Sequence, residues 1–419
     1  MDKSAKYEVR DLRLAEQGML NIELAEQQMA IVLKIRERFM REKPFKGLRI
    51  GMALHLTKET AVLVRTLIAG GADVSIASCN PLSTQDDVAA ALAKEGVGVF
   101  GYRGEDVKKY YEFIDRVIST KPHITIDDGC DLVTRIHKNH PAQLKEIMGG
   151  CEETTTGVIR LRAMERESKL RYAVVAVNDN KTKHLLDNYY GTGQSTLDGI
   201  VRATNTLIAG KSFVVAGYGS CGKGLSLRAK GMGANVIVTE VDEFRGLQAV
   251  LDGFRVMPMA EAAKVGDIFC TVTGDINVID IAHIKAMRSG AILANSGHFD
   301  VEINVKALDK SYRKRRMRES LDEYDVGGKK IYVCAEGRLV NLAAAEGHPS
   351  QVMATSFAGQ ALACEYIANS RSRLRAGVIM LPESLDNEIA KLQLGALGIK
   401  IDKLTKEQIE YLSGWGEGT

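Results

Sequence analysis

No stretch of this chain approaches the roughly 20 consecutive apolar residues that a membrane span requires. The opening segment, MDKSAKYEVRD, is polar and lacks the apolar centre of a secretory signal, so a cytoplasmic protein is expected. Cysteine is sparse and odd in number, seven in all with no CxxC pair. That excludes a disulfide framework and a structural zinc site, fits a reducing compartment, and leaves no metal expected. Charge of one sign is also missing: 56 Lys and Arg stand against 53 Asp and Glu, a formal net charge of +3. No polyanionic partner is called for. The one basic cluster, RKRRMR at 313–318, has no interleaved aromatics and is expected to be a solvated surface segment. Low-complexity tracts and short repeats are absent, so neither nucleic acid nor membrane is an expected partner.

What is present is an ordinary globular composition, 45% hydrophobic and 26% charged over 419 residues, enough for two or three domains. The most informative stretch is 211–242, KSFVVAGYGSCGKGLSLRAKGMGANVIVTEVD. An apolar strand at 213–216 runs into Gly217, Gly219 and Gly222 in GxGxxG spacing. A helix-compatible segment follows to Gly231, and a second strand at 236–239 ends in Glu240, 23 residues beyond Gly217. Each part has a physical task in holding a dinucleotide. Gly217 allows the turn, Gly219 lets backbone approach a pyrophosphate, and Gly222 lets helix and strand pack closely. The helix N-terminus offers free N–H groups to the phosphates. A carboxylate at Glu240 accepts from ribose hydroxyls and repels a 2′-phosphate, which selects NAD over NADP.

The remainder reads as strand–helix alternation. Residues 1–47 carry a helical pattern through Leu20, Leu24, Met29, Ile31, Val32, Ile35 and Phe39, ended by Pro44 and Gly47. Strands are expected in 49–56, 72–78, 97–102, 123–128 and 172–179, with helices at 59–69, 84–94, 105–119 and 132–147 between them. After Glu240 come a helix at 243–251, strand-like runs at FRVM, DIFCTVTG, AILANSG and KIYVCAEG, and an alanine-rich helix at 352–369. The predicted fold is α/β: two doubly wound parallel-sheet domains plus a short helical C-terminal tail. The boundaries read as a substrate domain over 1–188, completed by about 351–385, a Rossmann NAD domain over 189–350, and a tail over 386–419 that packs on another domain or subunit.

Ligands of open α/β sheets bind beyond the carboxyl ends of the strands. There the first strand delivers His55, Thr57 and Glu59, the fourth Asp127-Asp128-Gly129, and the fifth Asn178-Asp179 with Lys183 and Asp187 just after. Lys183 and Asp187, at i and i+4, can pair. For Asp127, Asp131 and Asp179, helix capping competes evenly with a functional role. The run 151–157, CEETTTG, is either a capping box or a ligand-lining loop. Asn295-Ser296-Gly297-His298-Phe299-Asp300 ends a Rossmann strand, and Asn341 and Gly347-His348-Pro349 lie where the chain returns from that domain. Histidines at two domain junctions suggest a cleft site closed by hinge motion.

HLTKETAVL (55–63), NPLSTQDDVAAALA (80–93), DDGCD (127–131), CEETTTGV (151–158), NDNKTKHLLDN (178–188), VVAGYGSCGKG (214–224), NSGHFDVEI (295–303) and RLVNLAAAEGHPSQVM (338–353) occur in this order. Together they make the chain resemble the S-adenosyl-L-homocysteine hydrolase family over nearly its whole length. The resemblance implies tightly held NAD used as a transient oxidant of the ribose 3′-carbon. A 3′-ketone acidifies the 4′-proton, homocysteine is expelled from the 5′-carbon, water adds, and the ketone is reduced back. By resemblance, Lys183 assists 3′-hydroxyl deprotonation, its pKa depressed by the cationic NAD ring. Asp187 steers it and holds the ribose, and Glu153 grips the ribose hydroxyls. Asp128 is the acid–base residue near the 4′- and 5′-carbons, with His55 and His298 handling water and sulfur. His348, Met353 and Phe357 match purine contacts, while Thr57 and Glu59 match the base-recognition pair. Thr154, Thr155, Thr156, Asn188, Gly217, Gly219, Gly222, Glu240, Thr273 and Asn341 match NAD contacts.

A carboxylate at Glu59 accepts from an exocyclic amine, which favours adenine over hypoxanthine. Relatives with Glu and Lys at positions 57 and 59 are associated with the inosyl substrate, so an S-inosyl-L-homocysteine hydrolase is the alternative. Three departures stand out. Thr192 occupies a position that is cysteine in many members, and Arg245 replaces an asparagine that supports the NAD adenine ribose. The tail stops at GWGEGT, without the extension that reaches a neighbouring subunit's NAD, so a tetramer with more loosely held cofactor is implied. A 2-hydroxyacid-type dehydrogenase shares the two-domain plan, and a silent NAD-binding regulator is the non-enzyme alternative. The first would accumulate NADH; intact His55, Asp128, Lys183 and His298 argue against the second.

Overall fold

Two sheets carry the architecture, in a computed structural model that describes residues 6–370 and 374–416. Sequence expectations that fall on 1–5, 371–373 and 417–419 lie outside the described residues. The first sheet contains β1 (Arg49–Ala53), β2 (Asp73–Ala77), β3 (Gly98–Phe100), β4 (Ile124–Asp127), β5 (Gly149–Glu152) and β6 (Ala173–Ala176). The second holds β7 (Ser212–Ala216), β8 (Asn235–Thr239), β9 (Arg255–Val256), β10 (Ile268–Thr271), β11 (Ile292–Asn295), β12 (Arg313–Arg318), β13 (Leu321–Val326) and β14 (Lys329–Cys334). A last strand, β15 (Gly377–Ile379), rejoins the first sheet beside β6.

The order in the first sheet is β15-β6-β5-β4-β1-β2-β3, and every pairing is parallel. In the second it is β12-β13-β14-β11-β10-β7-β8-β9. In both, the first strand lies between the second and fourth of its own set, so chain direction across the sheet reverses there. Those two switch points, β1/β4 and β7/β10, are where an open parallel sheet leaves a crevice for a ligand. The inner parallel strands are buried on both faces, as βαβ connections require, and apolar runs such as Ile268-Phe269-Cys270 follow from that.

The expected α/β class with two doubly wound sheets is present, with local differences. The helix expected at 132–147 stops at Asn139, because Pro141 cannot continue the ladder, and a short 3-10 turn, Pro141–Lys145, follows. The N-terminal helical run breaks at Met29 into Ala15–Gln28 and Ala30–Glu42. Leu20 and Leu24 face solvent, while Ile22, Ala25, Ile31, Val32, Ile35 and Phe39 form the buried stripe. Gly149–Glu152 is a central strand, so CEETTTG is no capping box: Thr154 begins the next helix, Thr155–Arg166, without a side-chain cap. The basic cluster is the edge strand β12, exposed throughout and antiparallel to the acidic β13, with Arg315 and Arg316 paired to Glu323 and Asp322. The tail helix Glu383–Ala396 buries Asp386 and Ile389, whereas Lys406–Ser413 buries nothing. No helix among the described residues is long and apolar enough to cross a membrane.

Candidate active site

Both switch points open into one cavity of about 700 Å³, within the range of small-molecule sites. Every site residue expected from the sequence lines it except Gly222. Gly222 lies behind the wall: a Cβ there would sit 2.0 Å from the Gly217 carbonyl oxygen, so its absence lets the helix Ser220–Gly231 close on the turn. Gly217 has φ +105°, a conformation that side chains disfavour.

On the first-sheet side, His55 follows β1 and Asp128 follows β4. His55 Nε2 lies 3.4 Å from Asp128 Oδ2, and His298 Nδ1, brought in from the end of β11, lies 3.5 Å from Asp128 Oδ1. The two imidazoles therefore flank one carboxyl from opposite domains. Gly129 permits this approach, since a Cβ there would meet His298 Nε2 at 2.3 Å. Burial drives the His55 pKa down to about 4, with Asp128 opposing and His298 and His348 adding to the effect, so the ring is neutral at neutral pH.

A second cluster surrounds Lys183, on the short helix Lys181–His184. Its Nζ donates to Asn188 Oδ1 at 2.7 Å and lies 3.2 Å from Asp187 Oδ2 and 3.7 Å from Glu153 Oε1. Burial alone would lower the lysine, but Asp187 and Glu153 outweigh it and hold the pKa above the ordinary range. The depressed lysine expected from the sequence is thus not what the chain's own charges produce. Burial opposes ionisation of Asp187 too, yet Lys183 and His348 hold it well below the usual carboxylate range. Glu153, by contrast, is pushed up to about 7, by burial first, against the pull of Lys183.

His348 contacts Asp187 through Nδ1 and Thr192 Oγ1 through Nε2 at 3.3 Å. Both ring nitrogens are engaged within the protein, so no ring nitrogen is left for the purine contact expected from the sequence. Thr57 caps the helix Lys58–Ala69, accepting from Thr60 N. Glu59 Oε1 accepts from Ser350 Oγ at 2.6 Å and lies 3.5 Å from Lys58 Nζ, so both of these contacts fall on one carboxylate oxygen. Met353 and Phe357 lie nearby on the helix Ser350–Ser370.

The acids left open between capping and function resolve toward structure. Asp127 accepts from Val133 N at 2.8 Å and Asp128 N at 3.0 Å, Asp131 pairs with Arg160, and Asp179 with Arg162. Other site residues escaped the sequence reading. Ser356 Oγ and Gln360 Nε2 both donate to Glu153. Ser350, Met353, Ser356, Phe357 and Gln360 share one face of their helix, and a polar–apolar stripe at that spacing was the available signal. Asp386, from the tail, accepts from Lys181 N at 2.6 Å and Thr182 N at 3.2 Å, capping the helix that carries Lys183.

The dinucleotide side fits NAD. A Cβ built on Gly219 finds no atom closer than 3.9 Å, which leaves backbone open to a pyrophosphate. Glu240 is fixed by Tyr218 N at 2.6 Å and Val241 N at 2.8 Å at the end of β8. Asn341 Oδ1 is buried without a partner among the described residues, an acceptor suited to a ligand donor. Thr154, Thr155, Thr156 and Asn188 line the same cavity, Asn188 in contact with Lys183. Thr273 gives both N–H and hydroxyl to Glu302, and its Oγ1 accepts from Asp275 N at 3.0 Å, so the backbone around it is held in place.

Known proteins match this chain end to end. Residues 188–347 match the family described as S-adenosyl-L-homocysteine hydrolase, NAD binding domain, and residues 6–143 match S-adenosyl-L-homocysteine hydrolase. The S-inosyl-L-homocysteine hydrolase of Methanocaldococcus jannaschii is 58% identical over 414 residues, covering 99% of this chain and 100% of that one. Adenosylhomocysteinases of Sulfurisphaera tokodaii, 57% identical, and Aquifex aeolicus, 56% identical, are each covered completely and span 99% of this chain.

Proposed function

Since the chain belongs to the S-adenosyl-L-homocysteine hydrolase family, we propose that it reversibly hydrolyses S-adenosyl-L-homocysteine to adenosine and L-homocysteine. The carrying observation is that two buried acid–base clusters, His55–Asp128–His298 and Lys183–Asp187–Glu153, open into the same cavity as the glycine turn. We assign the substrate domain to 1–188 with 351–385, the NAD domain to 189–350 and the packing tail to 386–419.

When bound, NAD supplies a transient two-electron sink at the ribose 3′-carbon, and its cationic ring adds the positive charge that lets Lys183 release its proton. Glycines 217 and 219, Glu240, Thr154–Thr156, Asn188, Thr273 and Asn341 would hold it. Glu153 and Asp187 grip the ribose hydroxyls, and Lys183 Nζ moves the 3′-hydroxyl proton. Asp128 takes the 4′-proton, while His55 and His298, one on each side of it, serve the departing sulfur and the incoming water. Burial of Asp128, Glu153, Lys183, Asp187 and His298 limits the water that reaches the reacting carbons.

Two further features are assigned on family grounds. A homotetramer is supported by apolar side chains left exposed, among them Phe244, Leu251, Leu404, Leu412 and Trp415. A cytoplasmic place in one-carbon metabolism, recycling the product of S-adenosylmethionine-dependent methylation, is supported by seven unpaired cysteines.

The inosyl alternative has a specific observation behind it, the name carried by the 58% identical relative. Glu59 decides between them: Oε2 accepts from the adenine amine but repels the 6-oxygen of hypoxanthine. In a side-by-side kcat/KM comparison, the parent enzyme should favour the adenosyl thioether. Glu59→Lys should cut the adenosyl-to-inosyl ratio about 10- to 100-fold, the value of one charge-assisted hydrogen bond of about 1.5–3 kcal/mol. An unchanged ratio, or a parent that prefers the inosyl substrate, would reject the adenosyl assignment.

A further inference from the structure

His55 has two ring nitrogens, and the mechanism uses only Nε2. The other, Nδ1, lies 2.7 Å from Ser83 Oγ, a residue given no role so far. Ser83 is 3% exposed, in the loop between β2 and the helix Asp86–Lys94. Its own hydroxyl proton has an acceptor, the Asn80 carbonyl oxygen 3.1 Å away. When the hydroxyl proton takes that carbonyl, the Oγ lone pairs face Nδ1. A neutral imidazole has one donor and one acceptor nitrogen, so a hydrogen on Nδ1 leaves Nε2 as the open base facing Asp128.

Resting on the proposed hydrolase reading, we infer that Ser83 is a positioning residue that holds His55 in the Nδ1–H tautomer, so that Nε2 alone gains and loses the proton passed between C4′ and sulfur. In that sequence the C4′–H bond breaks and its proton goes to Asp128, while the electron pair forms the C4′–C5′ double bond. The C5′–S bond breaks and the sulfur leaves with its electron pair. The proton crosses the 3.4 Å from Asp128 to His55 Nε2 and then to sulfur, so His55 ends neutral and Asp128 ionised, as they began. The Nδ1–H···Oγ bond is the same in the neutral and cationic ring, so the proton moves without reorganising that side.

The loop is built to keep Ser83 in place. Asn80 Oδ1 accepts from Leu82 N at 3.0 Å, and Ser78 Oγ donates to the Asn80 carbonyl at 2.8 Å. Gln85 N donates to Leu56 O at 2.8 Å and Gln85 Oε1 accepts from Lys58 N at 2.9 Å, stapling the loop to the segment that carries His55. Arg103 Nη1 donates to Leu82 O at 2.6 Å, and Nη2 reaches the Ala343 carbonyl, on the chain returning from the second sheet. The support spans both halves of the molecule. Besides Ser83, the groups facing His55 are Asp128, His298 and His348, of which only Asp128 can pass it a proton from a carboxyl.

The test compares NAD-loaded parent, Ser83→Ala and Ser83→Thr in two assays: reduction of bound nicotinamide on adding adenosine, and thiol release from S-adenosyl-L-homocysteine. Adenosine has the 3′-hydroxyl and yields no thiol, and the initial rate of nicotinamide reduction with it reports oxidation at C3′, the step before any loss from C5′. Ser83→Ala should keep reduction within about twofold yet lose about 10- to 100-fold in thiol release, and Ser83→Thr, which retains a hydroxyl, should recover most of it. The 15N spectrum of the His55 ring should show a protonated Nδ1 in the parent and a loss of that preference in Ser83→Ala. Parental thiol release by Ser83→Ala, equal loss in both assays, equal loss in both variants, or a proton on Nε2 in the parent would each overturn the inference. A parent that reduces its nicotinamide but releases no thiol would instead overturn the hydrolase reading.

Discussion

Lys183→Ala should release thiol about 10³-fold more slowly than the parent, with no growth of the reduced-nicotinamide band when adenosine is added. The magnitude is that of a lost general acid–base group. Lys183 Nζ is the only cation within 4 Å of Asp187 and Glu153 among the described residues apart from the His348 ring at Asp187. In the proposed cycle both halves depend on it, because oxidation at C3′ and the final reduction each move the same hydroxyl proton. The variant should also lose stability, on the order of 3 kcal/mol, since two buried carboxylates lose their partner. That cost rises with pH: Glu153, held near 7, and an unpaired Asp187 both resist ionisation, so the deficit is smallest in acid. Thermal melts at two pH values separate that loss from the kinetic one. Thiol release at the parental rate would contradict the assignment.

Asp128→Asn should behave differently. Oxidation of adenosine should survive within a few fold, because the Lys183 cluster is intact, while thiol release falls about 10²- to 10⁴-fold. Asn keeps the shape but can neither take the 4′-proton nor pass it to His55, 3.4 Å away. The fold should tolerate it, since the amide removes a buried charge rather than stranding one. Equal loss in the two assays would place Asp128 in binding rather than in elimination.

How far the sequence alone reaches depends on whether the deciding contacts are local. The glycine turn, its two strands and Glu240 lie within one βαβ unit, and 211–242 states them in full. His55, Asp128 and Lys183 are legible because switch-point chemistry sits at strand ends. The strand β5 was not, because GGCE is short and glycine-rich, with neither apolar alternation nor turn signals of its own; it is specified by β4 and β6 on either side. β15 pairs with β6 some 200 residues earlier in the chain, which local periodicity cannot register. RKRRMR becomes a strand because its charges meet Asp322 and Glu323 on β13, a cross-strand match rather than a propensity. The protonation of Lys183 also lay beyond the sequence. It depends on how closely Glu153, from a different βα unit, approaches Nζ. The cap that Asp386 places on the Lys183 helix comes from the tail, more than 200 residues away.

The measurement that bears most directly on the account is thiol release from enzyme stripped of its dinucleotide, before and after NAD is returned in an amount equal to the enzyme. The account predicts no thiol from the stripped protein and many turnovers after a single equivalent is restored, with no accumulation of reduced nicotinamide beyond the enzyme concentration. Thiol from the stripped enzyme, or one equivalent of NADH formed per thiol released, would contradict it.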